Sequence, residues 1–300
     1  MNRGWRFLSI LTVLVLLLCA SFPARSEGRV INELNMKSGE EHYTFPEDAE
    51  LLEIYLPSIL GSDCAILRMG DETMMIDASY DSHCRLGVVP ALEALGLSHI
   101  QNAFVSHPHD DHMKGFWNLV DMGYTFDRLS ISFSENWNWF SANTVRAMKS
   151  IGAEIVMMED GEEFDFGKAH VRFLKRQRSD FTENNLSGML HITYGNCTYF
   201  SPGDIENRAQ EVLMQTLPDW SLQSDILKYP HHGYAPINAD LLEILDPELV
   251  IINGQMSGTQ DSIAQMNRRN IPWTRQYPEA IEMLTDGNVW VVRHPAWGSR

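Results

Sequence analysis

The segment Asn102-Ala103-Phe104-Val105-Ser106-His107-Pro108-His109-Asp110-Asp111-His112 runs from a short apolar stretch directly into three histidines and two aspartates. Its apolar half, 102–106, is typical of a short buried strand. Imidazoles and a carboxylate at this spacing suit a borderline metal such as zinc. Because alternate residues of a loop can turn toward one centre, His107 and His109 are predicted to share one ion, while Asp111 and His112 face a second.

Two later segments also end a strand-like run with ligand-type residues. Residues 198–201 lead into Pro202-Gly203-Asp204, whose carboxylate could bridge two ions. Residues 226–229 lead into Pro230-His231-His232-Gly233, which offers two imidazoles. Each segment alone is weak evidence, because an Asp after Gly is usually only a turn. Together with the cluster at 107–112, these two segments supply a complete set of metal ligands.

Strand-like and helix-like segments alternate along the chain. The apolar runs 65–69 and 73–77 flank Gly70-Asp71, which is a hairpin signal. Helices are predicted over 85–96, 113–122, 142–151 and 206–216. Further strands are predicted over 52–56, 127–133, 153–158, 171–174, 188–194, 248–253 and 289–293. A group of strands followed by helices occurs in the first half of the chain and again in the second, which indicates two sheets stacked inside helical layers.

The N-terminal residues resemble a secretion signal. Arg3 and Arg6 precede an apolar run over 7–20, and Ala24-Arg25-Ser26 places small residues where a signal peptidase cleaves. We therefore expect a signal peptide over 1–26 and one hydrolase domain over 27–300. The apolar run is shorter than the roughly 20 residues that span a bilayer, although an uncleaved anchor is the alternative. The mature protein is expected to be secreted or extracytoplasmic, without a stable membrane span.

Charge and cysteine content narrow the function classes. Without the three arginines of residues 1–26, the 20 remaining basic and 40 acidic residues give a formal charge of −20. Such a surface repels polyanions at long range, so nucleic acid is a less favoured partner. No CxxC spacing is present, which argues against a cysteine-built zinc site. Cys64 and Cys84 could form a disulfide, or they are buried free thiols.

Taken together, these motifs resemble the metallo-β-lactamase superfamily, in particular its branch of competence-protein (DNA-uptake) hydrolase domains and secreted phosphorylcholine esterases. The resemblance covers roughly 51–293. Its matching segments are Met75-Ile76-Asp77, 107–112, Asn184-Asn185-Leu186-Ser187, Gly203-Asp204, 227–233 and Thr285-Asp286-Gly287. It implies a four-layer αββα sandwich that binds one or two Zn²⁺ ions, with Mn²⁺ as the alternative.

The resemblance also implies roles for individual residues. The implied metal ligands are His107, His109, Asp111, His112, Asp204 and His232. Asp204 would bridge the ions and orient the water, and His231 would contact the substrate or protonate the leaving group. Asp77 and Asn185 would support the site. Many superfamily members have a further histidine ligand between the 107–112 motif and the bridging Asp204. The candidates in this sequence, His170 and His191, lie within strand-like runs, and the branch that it resembles lacks that ligand.

The reaction implied by this resemblance is hydrolysis of a phosphodiester by metal-activated water. Hydrolysis of another bond, such as a lactone, thioester or β-lactam, is one alternative, and a non-catalytic metal-binding module is the other. Lys228, Trp137 and Trp139 are predicted to line a substrate pocket, although core packing or a lid would also explain the tryptophans. The acidic surface favours a small-molecule or envelope-linked phosphodiester over nucleic acid.

Overall fold

The computed structural model describes residues 29–37 and 40–297, so the expected signal peptide over 1–26 lies outside the described residues. The strands are β1 Arg29–Asn32, β2 Leu52–Leu56, β3 Ala65–Met69, β4 Glu72–Ile76, β5 His99–Phe104, β6 Thr125–Ile131, β7 Glu154–Met157, β8 Glu163–Phe166, β9 Ala169–Lys175, β10 Gly188–Tyr194, β11 Cys197–Ser201, β12 Ile226–Lys228, β13 Leu249–Ile252, β14 Trp273–Arg275, β15 Ile281–Thr285 and β16 Val289–Arg293. The helices are α1 Asp81–His83, α2 Val89–Ala94, α3 Asp110–Asp121, α4 Trp139–Ser150, α5 Asn207–Thr216, α6 Ala239–Leu245 and α7 Gln260–Arg269, and the π-helix Cys84–Val88 joins α1 to α2.

These strands form two mixed sheets. The first has the order β1-β16-β15-β2-β3-β4-β5-β6-β7, and the second has the order β14-β13-β12-β11-β10-β9-β8. Strands β4 to β7 are mutually parallel in the first sheet, as are β11 to β14 in the second. The carboxyl ends of β4, β5, β11 and β12 lead directly into the histidine- and aspartate-bearing loops, which is where open parallel sheets bind ligands.

Three apolar clusters define the layers. The inner faces of the two sheets pack on each other, with the rings of Phe104 and Phe173 5.8 Å apart. On the outer face of the first sheet, Phe116 of α3 and Val145 of α4 are buried against strand residues. On the outer face of the second sheet, the helices α5 to α7 cover a third cluster that includes Leu213. This arrangement confirms the four-layer αββα fold class.

The structure extends or corrects several predicted elements. The hairpin β3–β4 is confirmed by the antiparallel pairing of Met69 with Glu72. Helix α3 begins at Asp110 rather than at residue 113, because two acidic side chains in its first turn favour the helix N-terminus. Asp111 and His112 therefore lie on a helix and not in a loop. The sequence analysis missed β1, β8, β14, β15, α6 and α7.

Two further findings bear on the sequence-based expectations. Cys64, Cys84 and Cys197 are buried free thiols. Among the helices of residues 29–37 and 40–297, none combines the length and the apolar character that crossing a bilayer requires.

Candidate metal centre

Four side chains from three separate segments of the chain converge at one point. The Oδ2 atom of Asp204 lies 3.3 Å from Nε2 of His112 and 3.3 Å from Nε2 of His232. Asp111 reaches the same place from the first turn of α3, with its Oδ2 3.0 Å from Nε2 of His232. One ligand-type atom from each of the four residues lies within 4.8 Å of the others. The arrangement can hold a divalent cation through two nitrogens and two oxygens.

The hydrogen bonding of this cluster tests whether a metal ion fits. Among the described residues, Nε2 of His112 and Oδ1 of Asp204 are buried without a hydrogen-bond partner. Nε2 of His112 lies 3.3 Å from Oδ2 of Asp204 and 3.6 Å from Oδ2 of Asp111, whereas Oδ1 of Asp204 lies beside Lys228. Buried polar atoms nearly always have partners, so the unpartnered Nε2 of His112 among these oxygens indicates a ligand. The cluster therefore fits a divalent metal ion, whose identity the geometry does not specify.

Two more predicted ligands adjoin the cluster. His107 is fully buried, its ring lies 4.1 Å from that of His112, and its Nε2 is 4.0 Å from Oδ2 of Asp204. The Nδ1 atom of His109 lies 3.0 Å from Nε2 of His107. The structure thus brings all six predicted ligands into one site. Whether every one of them binds metal stays a prediction.

The imidazoles and carboxylates of the cluster shift one another's pKa values. Burial opposes protonation of His112, but Asp204, Asp111 and Asp77 outweigh it and raise the pKa of the imidazole well above its usual value. Burial also opposes ionisation of Asp204, yet the nearby cations, His232 first, hold the pKa of this carboxyl well below its usual range. A bound metal would take the place of the protons, because ligating imidazoles must be neutral.

The loop that carries His231 and His232 has an unusual backbone. Both residues have positive φ angles, 49° and 56°, which are rare for side chains other than glycine and cost about 1–3 kcal/mol each. Two backbone hydrogen bonds hold the loop, from His231 N to Gly203 O and from Gly254 N to His232 O. The turn separates the two imidazoles: His232 is buried in the cluster, whereas the side chain of His231 is 29% exposed.

Asp77 supports the cluster from the end of β4. Its Oδ2 accepts a hydrogen bond from Nδ1 of His112 at 2.8 Å, and its Oδ1 accepts one from the backbone N–H of Ser106 at 2.8 Å. A carboxylate behind a histidine fixes the ring so that its other nitrogen faces the metal. This position agrees with the supporting role expected for Asp77.

Asp63 is a site residue that the sequence analysis missed. One of its oxygens lies 3.3 Å from Nδ1 of His232, and the other pairs with the buried ammonium of Lys228. Asp63, Asp77 and His112 form a second cluster of ligand type, but Lys228 already supplies a cation there. The available signal was an acidic residue two positions before the apolar strand β3.

Two other predicted site residues, Lys228 and Asn185, lie beside the cluster. Lys228 is buried, with its Nζ 3.6 Å from Oδ1 of Asp204, so it lies beneath the centre. Asn185 accepts hydrogen bonds from the backbone N–H groups of Glu206 and Ala209 and so fixes the segment after Asp204. The side-chain N–H groups of Asn185 donate to Thr182 and Glu206, and not to the histidines. A direct contact of Lys228 with substrate stays a prediction.

Trp137 and Trp139 lie at the start of α4. The indole N–H of Trp137 donates to Glu183 at 2.6 Å, and the other carboxylate oxygen of Glu183 lies 2.8 Å from Nε2 of His109. Trp139 is 64% exposed and packs against Trp117 at 5.2 Å. Trp137 is therefore connected to the centre through Glu183, a residue that the sequence analysis missed, and Trp139 is not.

The two alternative histidines lie outside the site. His170 is exposed on β9 beside Asp165 and Glu163. His191 is buried on β10 with its Nε2 bonded to the carbonyl of Gln223. Both belong to strands, as expected.

Comparison with known proteins agrees with this architecture. No sequence-family profile matches the chain. It is 22% identical over 168 residues to the ComE operon protein 3 of Bacillus subtilis (strain 168), which covers 55% of this chain and 21% of that protein. It is 19% identical over 196 residues to the competence protein ComA of Neisseria gonorrhoeae, covering 62% and 24%. The chain thus aligns with about a quarter or less of each relative.

Solved structures show the same fold. The metallo-β-lactamase fold protein YhfI of Bacillus subtilis superposes with a TM-score of 0.50 at 11% identity, covering 75% of this chain and 95% of that one. The CmlA β-hydroxylase E377D mutant also gives 0.50, at 12% identity, covering 81% and 54%. Fold and centre together define a metallo-β-lactamase-fold protein with a buried His/Asp cluster that can hold a divalent metal ion. Its sequence has distant similarity to the two competence proteins.

Proposed function

We propose that this chain is a metal-dependent phosphodiesterase that acts outside the cytoplasm on a small or envelope-linked phosphodiester. The observation that carries the proposal is the convergence of Asp111, His112, Asp204 and His232, with Nε2 of His112 buried and without a hydrogen-bond partner. Zinc is the expected metal, with manganese as the alternative, because imidazole and carboxylate donors suit both. The signal peptide that the sequence predicts over 1–26 supports the extracytoplasmic location.

When bound, divalent ions at such a centre lower the pKa of water and take up charge on the attacked oxygen. The residues of this chain would perform the remaining tasks. Asp204 and the histidines would hold the metal in a largely buried site. The partly exposed His231, which lies next to a ligand without joining the cluster, would donate a proton to the leaving oxygen.

The distribution of basic residues favours a small substrate over DNA. The most basic run of the sequence is Lys175-Arg176-Gln177-Arg178, and its members are already paired. Arg176 bonds Asp160 at 2.6 Å, and Arg178 bonds Asp180 at 3.0 Å. With a mature formal charge of −20, no strong basic channel for a phosphate backbone is expected.

The test uses exported protein that is stripped of metal and reloaded with Zn²⁺ or Mn²⁺. We expect turnover of bis-p-nitrophenyl phosphate or a phosphorylcholine ester, and we expect Asp111→Ala or His112→Ala to lower metal content and activity together. His170→Gln, remote from the centre, is the matched control. Turnover of lactones or β-lactams alone would place the enzyme in another reaction class. Full metal loading without any turnover would indicate a metal-binding module.

A further inference from the structure

Three aromatic rings form a triangle on the loop that carries His231 and His232. The ring centroids of these two histidines lie 6.0 Å apart, and the ring of Tyr234 lies 6.0 Å from the first and 5.6 Å from the second. The ring planes of the three pairs cross at 62°, 85° and 64°, so the edge of one ring meets the face of another. Aromatic pairs favour such distances and angles. Tyr234 therefore contacts both imidazoles.

The ring of Tyr234 packs against three glycines. A Cβ atom on Gly61 would lie 2.6 Å from Oη of Tyr234, and one on Gly254 would lie 3.0 Å from its Cε1. A Cβ atom on Gly258 would lie 2.7 Å from Cδ1 and 2.9 Å from Cε1. Non-bonded carbon atoms prefer a separation of about 3.5–4.0 Å, so a side chain at any of these positions would press against Tyr234. The ring fits because these positions carry no side chains.

Backbone hydrogen bonds fix these glycines relative to both sheets. Gly61 lies on the loop between β2 and β3 of the first sheet, and its N–H donates to the carbonyl of Asn253 at 2.7 Å. Asn253 follows β13 of the second sheet. The N–H of the next residue, Gly254, donates to the carbonyl of His232 at 2.8 Å. Loops from both sheets therefore hold the ring of Tyr234 in place.

The imidazole of His232 lacks the hydrogen bond that usually orients a metal-binding histidine. Such a histidine typically donates from its second nitrogen to a carboxylate or carbonyl, which fixes the ring. Nδ1 of His232 lies 3.3 Å from Oδ1 of Asp63, yet it is buried without a hydrogen-bond partner among the described residues. The charge of Asp63 attracts this ring without a well-directed hydrogen bond, so packing must supply the remaining constraint.

We propose that Tyr234 is a positioning residue of the metal centre, whose ring fixes the orientation of the His232 imidazole and keeps His231 apart from it. This inference rests on the metal binding that the proposed function assumes, and it holds for any reaction at the centre. Removing the ring leaves His232 free to rotate. A methyl group on Gly258 displaces the ring.

The first test measures metal binding by exported protein that is stripped of metal. Zn²⁺ is titrated against a chelator, and the visible absorption of the Co²⁺-loaded protein reports the ligand geometry. We expect Tyr234→Ala to lower Zn²⁺ affinity by about tenfold, the factor that corresponds to losing one or two aromatic pairs, and to change the Co²⁺ absorption. Tyr234→Phe, which keeps the ring, should preserve both. Tyr277→Ala, at a tyrosine that is 46% exposed, should change neither.

The second test changes Gly258, whose φ angle is not positive and whose backbone therefore tolerates alanine. The three heavy atoms nearest to the added Cβ all belong to Tyr234. We expect Gly258→Ala to lower Zn²⁺ affinity in the wild type and to cause no further loss in Tyr234→Ala. An equal loss in both backgrounds, or wild-type affinity in Gly258→Ala, would overturn the proposal.

Urea unfolding of the metal-free variants separates positioning from simple packing. A less stable Tyr234→Ala that keeps the wild-type Zn²⁺ affinity and Co²⁺ absorption would overturn the positioning role. If Tyr234→Ala does not fold, Tyr234→Leu takes its place in both tests. None of these measurements uses turnover, so the absence of phosphodiester cleavage would contradict the proposed function alone.

Discussion

Asp63 is a buried carboxylate that contacts both His232 and Lys228. It faces Nδ1 of His232 at 3.3 Å, pairs with Lys228, and accepts a hydrogen bond from the amide of Asn253. Burial disfavours its ionised form, but the charges of Lys228 and His232 outweigh burial and lower the pKa of Asp63 below its usual range. Because Nδ1 of His232 faces this carboxylate, Nε2 faces Asp111 and Asp204.

Replacing Asp63 should weaken metal binding. In Asp63→Asn the buried charge of Lys228 loses its partner, and the orientation of His232 is less well fixed. Losses of 10- to 100-fold in metal affinity are typical when such supporting groups are removed, and we expect a loss of about that size in chelator-competition titrations. Asp165→Asn, on exposed β8, is the control. Unchanged metal affinity with reduced thermal stability would limit Asp63 to a structural role.

Helix α3 is positioned by close contact with the loop that carries Asp77. The backbone N–H of Gly115 donates to Ser79 O at 2.9 Å, and that of Ala78 donates to His112 O at 2.6 Å. A Cβ atom on Gly115 would lie 1.8 Å from the carbonyl oxygen of Ala78. This approach places His112 within hydrogen-bonding distance of Asp77, and it requires glycine at position 115.

The variant Gly115→Ala should therefore be destabilised and should also bind metal less well. Overpacking a close contact costs about 1–3 kcal/mol or more, because the backbone must shift. Urea unfolding measures the free energy of unfolding, and metal analysis of the folded protein measures loading. Asp121→Ala, in the exposed last turn of the same helix, should change neither. Wild-type stability of Gly115→Ala would show that α3 does not pack as closely as described.

Strand β10 carries His191, whose ring is buried far from the centre. Burial, together with the nearby Arg172, lowers the pKa of this imidazole to about 4, although its bond to Gln223 O opposes the shift. The unfolded chain binds a proton near pH 6.5, so the stability contributed by neutral His191 is complete above that pH and is lost as the pH falls toward 4.

The pH dependence of the unfolding free energy of His191→Gln tests whether neutral His191 makes this contribution. Across the window from about pH 6.5 to about pH 4, the wild type should lose about 3 kcal/mol more unfolding free energy than the variant. Urea midpoints at pH 7 and pH 4.5, with the same metal loading, give the comparison. The control variant His170→Gln, at an exposed histidine, should show the same pH dependence of stability as the wild type. Parallel pH profiles for the wild type and His191→Gln would show that His191 is not buried in neutral form.

At the scale of the whole molecule, the acidic surface should control which substrates reach the centre. Without the predicted signal peptide over 1–26 the formal charge is −20, which repels DNA at long range, and added salt screens that repulsion. We expect DNA cleavage, if detectable, to rise between low and moderate salt, whereas turnover of bis-p-nitrophenyl phosphate changes little. Fast DNA degradation that declines with salt would show instead that a local basic surface dominates.

The second prediction at this scale concerns export. Processing before Glu27 should leave a mature protein outside the cytoplasm. Strand β1, Arg29–Asn32, begins just after the cleavage position and pairs with β16, so removal of residues 1–26 spares this strand. N-terminal sequencing of native protein checks the site, and cell fractionation checks the location. An intact Met1 would refute cleavage.

The sequence alone determined the fold class and the segments that form the His/Asp cluster. Strand and helix periodicities and the cluster 107–112 are local features, and local features can be read from residue order. They also indicated Asp204 and the pair His231-His232, because both lie in segments that follow apolar strands. The resemblance to the metallo-β-lactamase superfamily, and not the residue pattern, indicated Asp77 and selected His232 over His231.

Only the tertiary structure added Asp63 and Glu183 to the residues that surround the centre. Asp63 pairs with Lys228 across 165 positions of sequence, and Glu183 reaches His109 across 74. Neither contact leaves a periodic signal, because each depends on how the two sheets stack and where distant loops meet. The separation of His231 from His232 likewise depends on two left-handed residues, which long-range backbone hydrogen bonds to Gly203 and Gly254 hold in place. Such contacts are decided by packing, which the order of residues does not display.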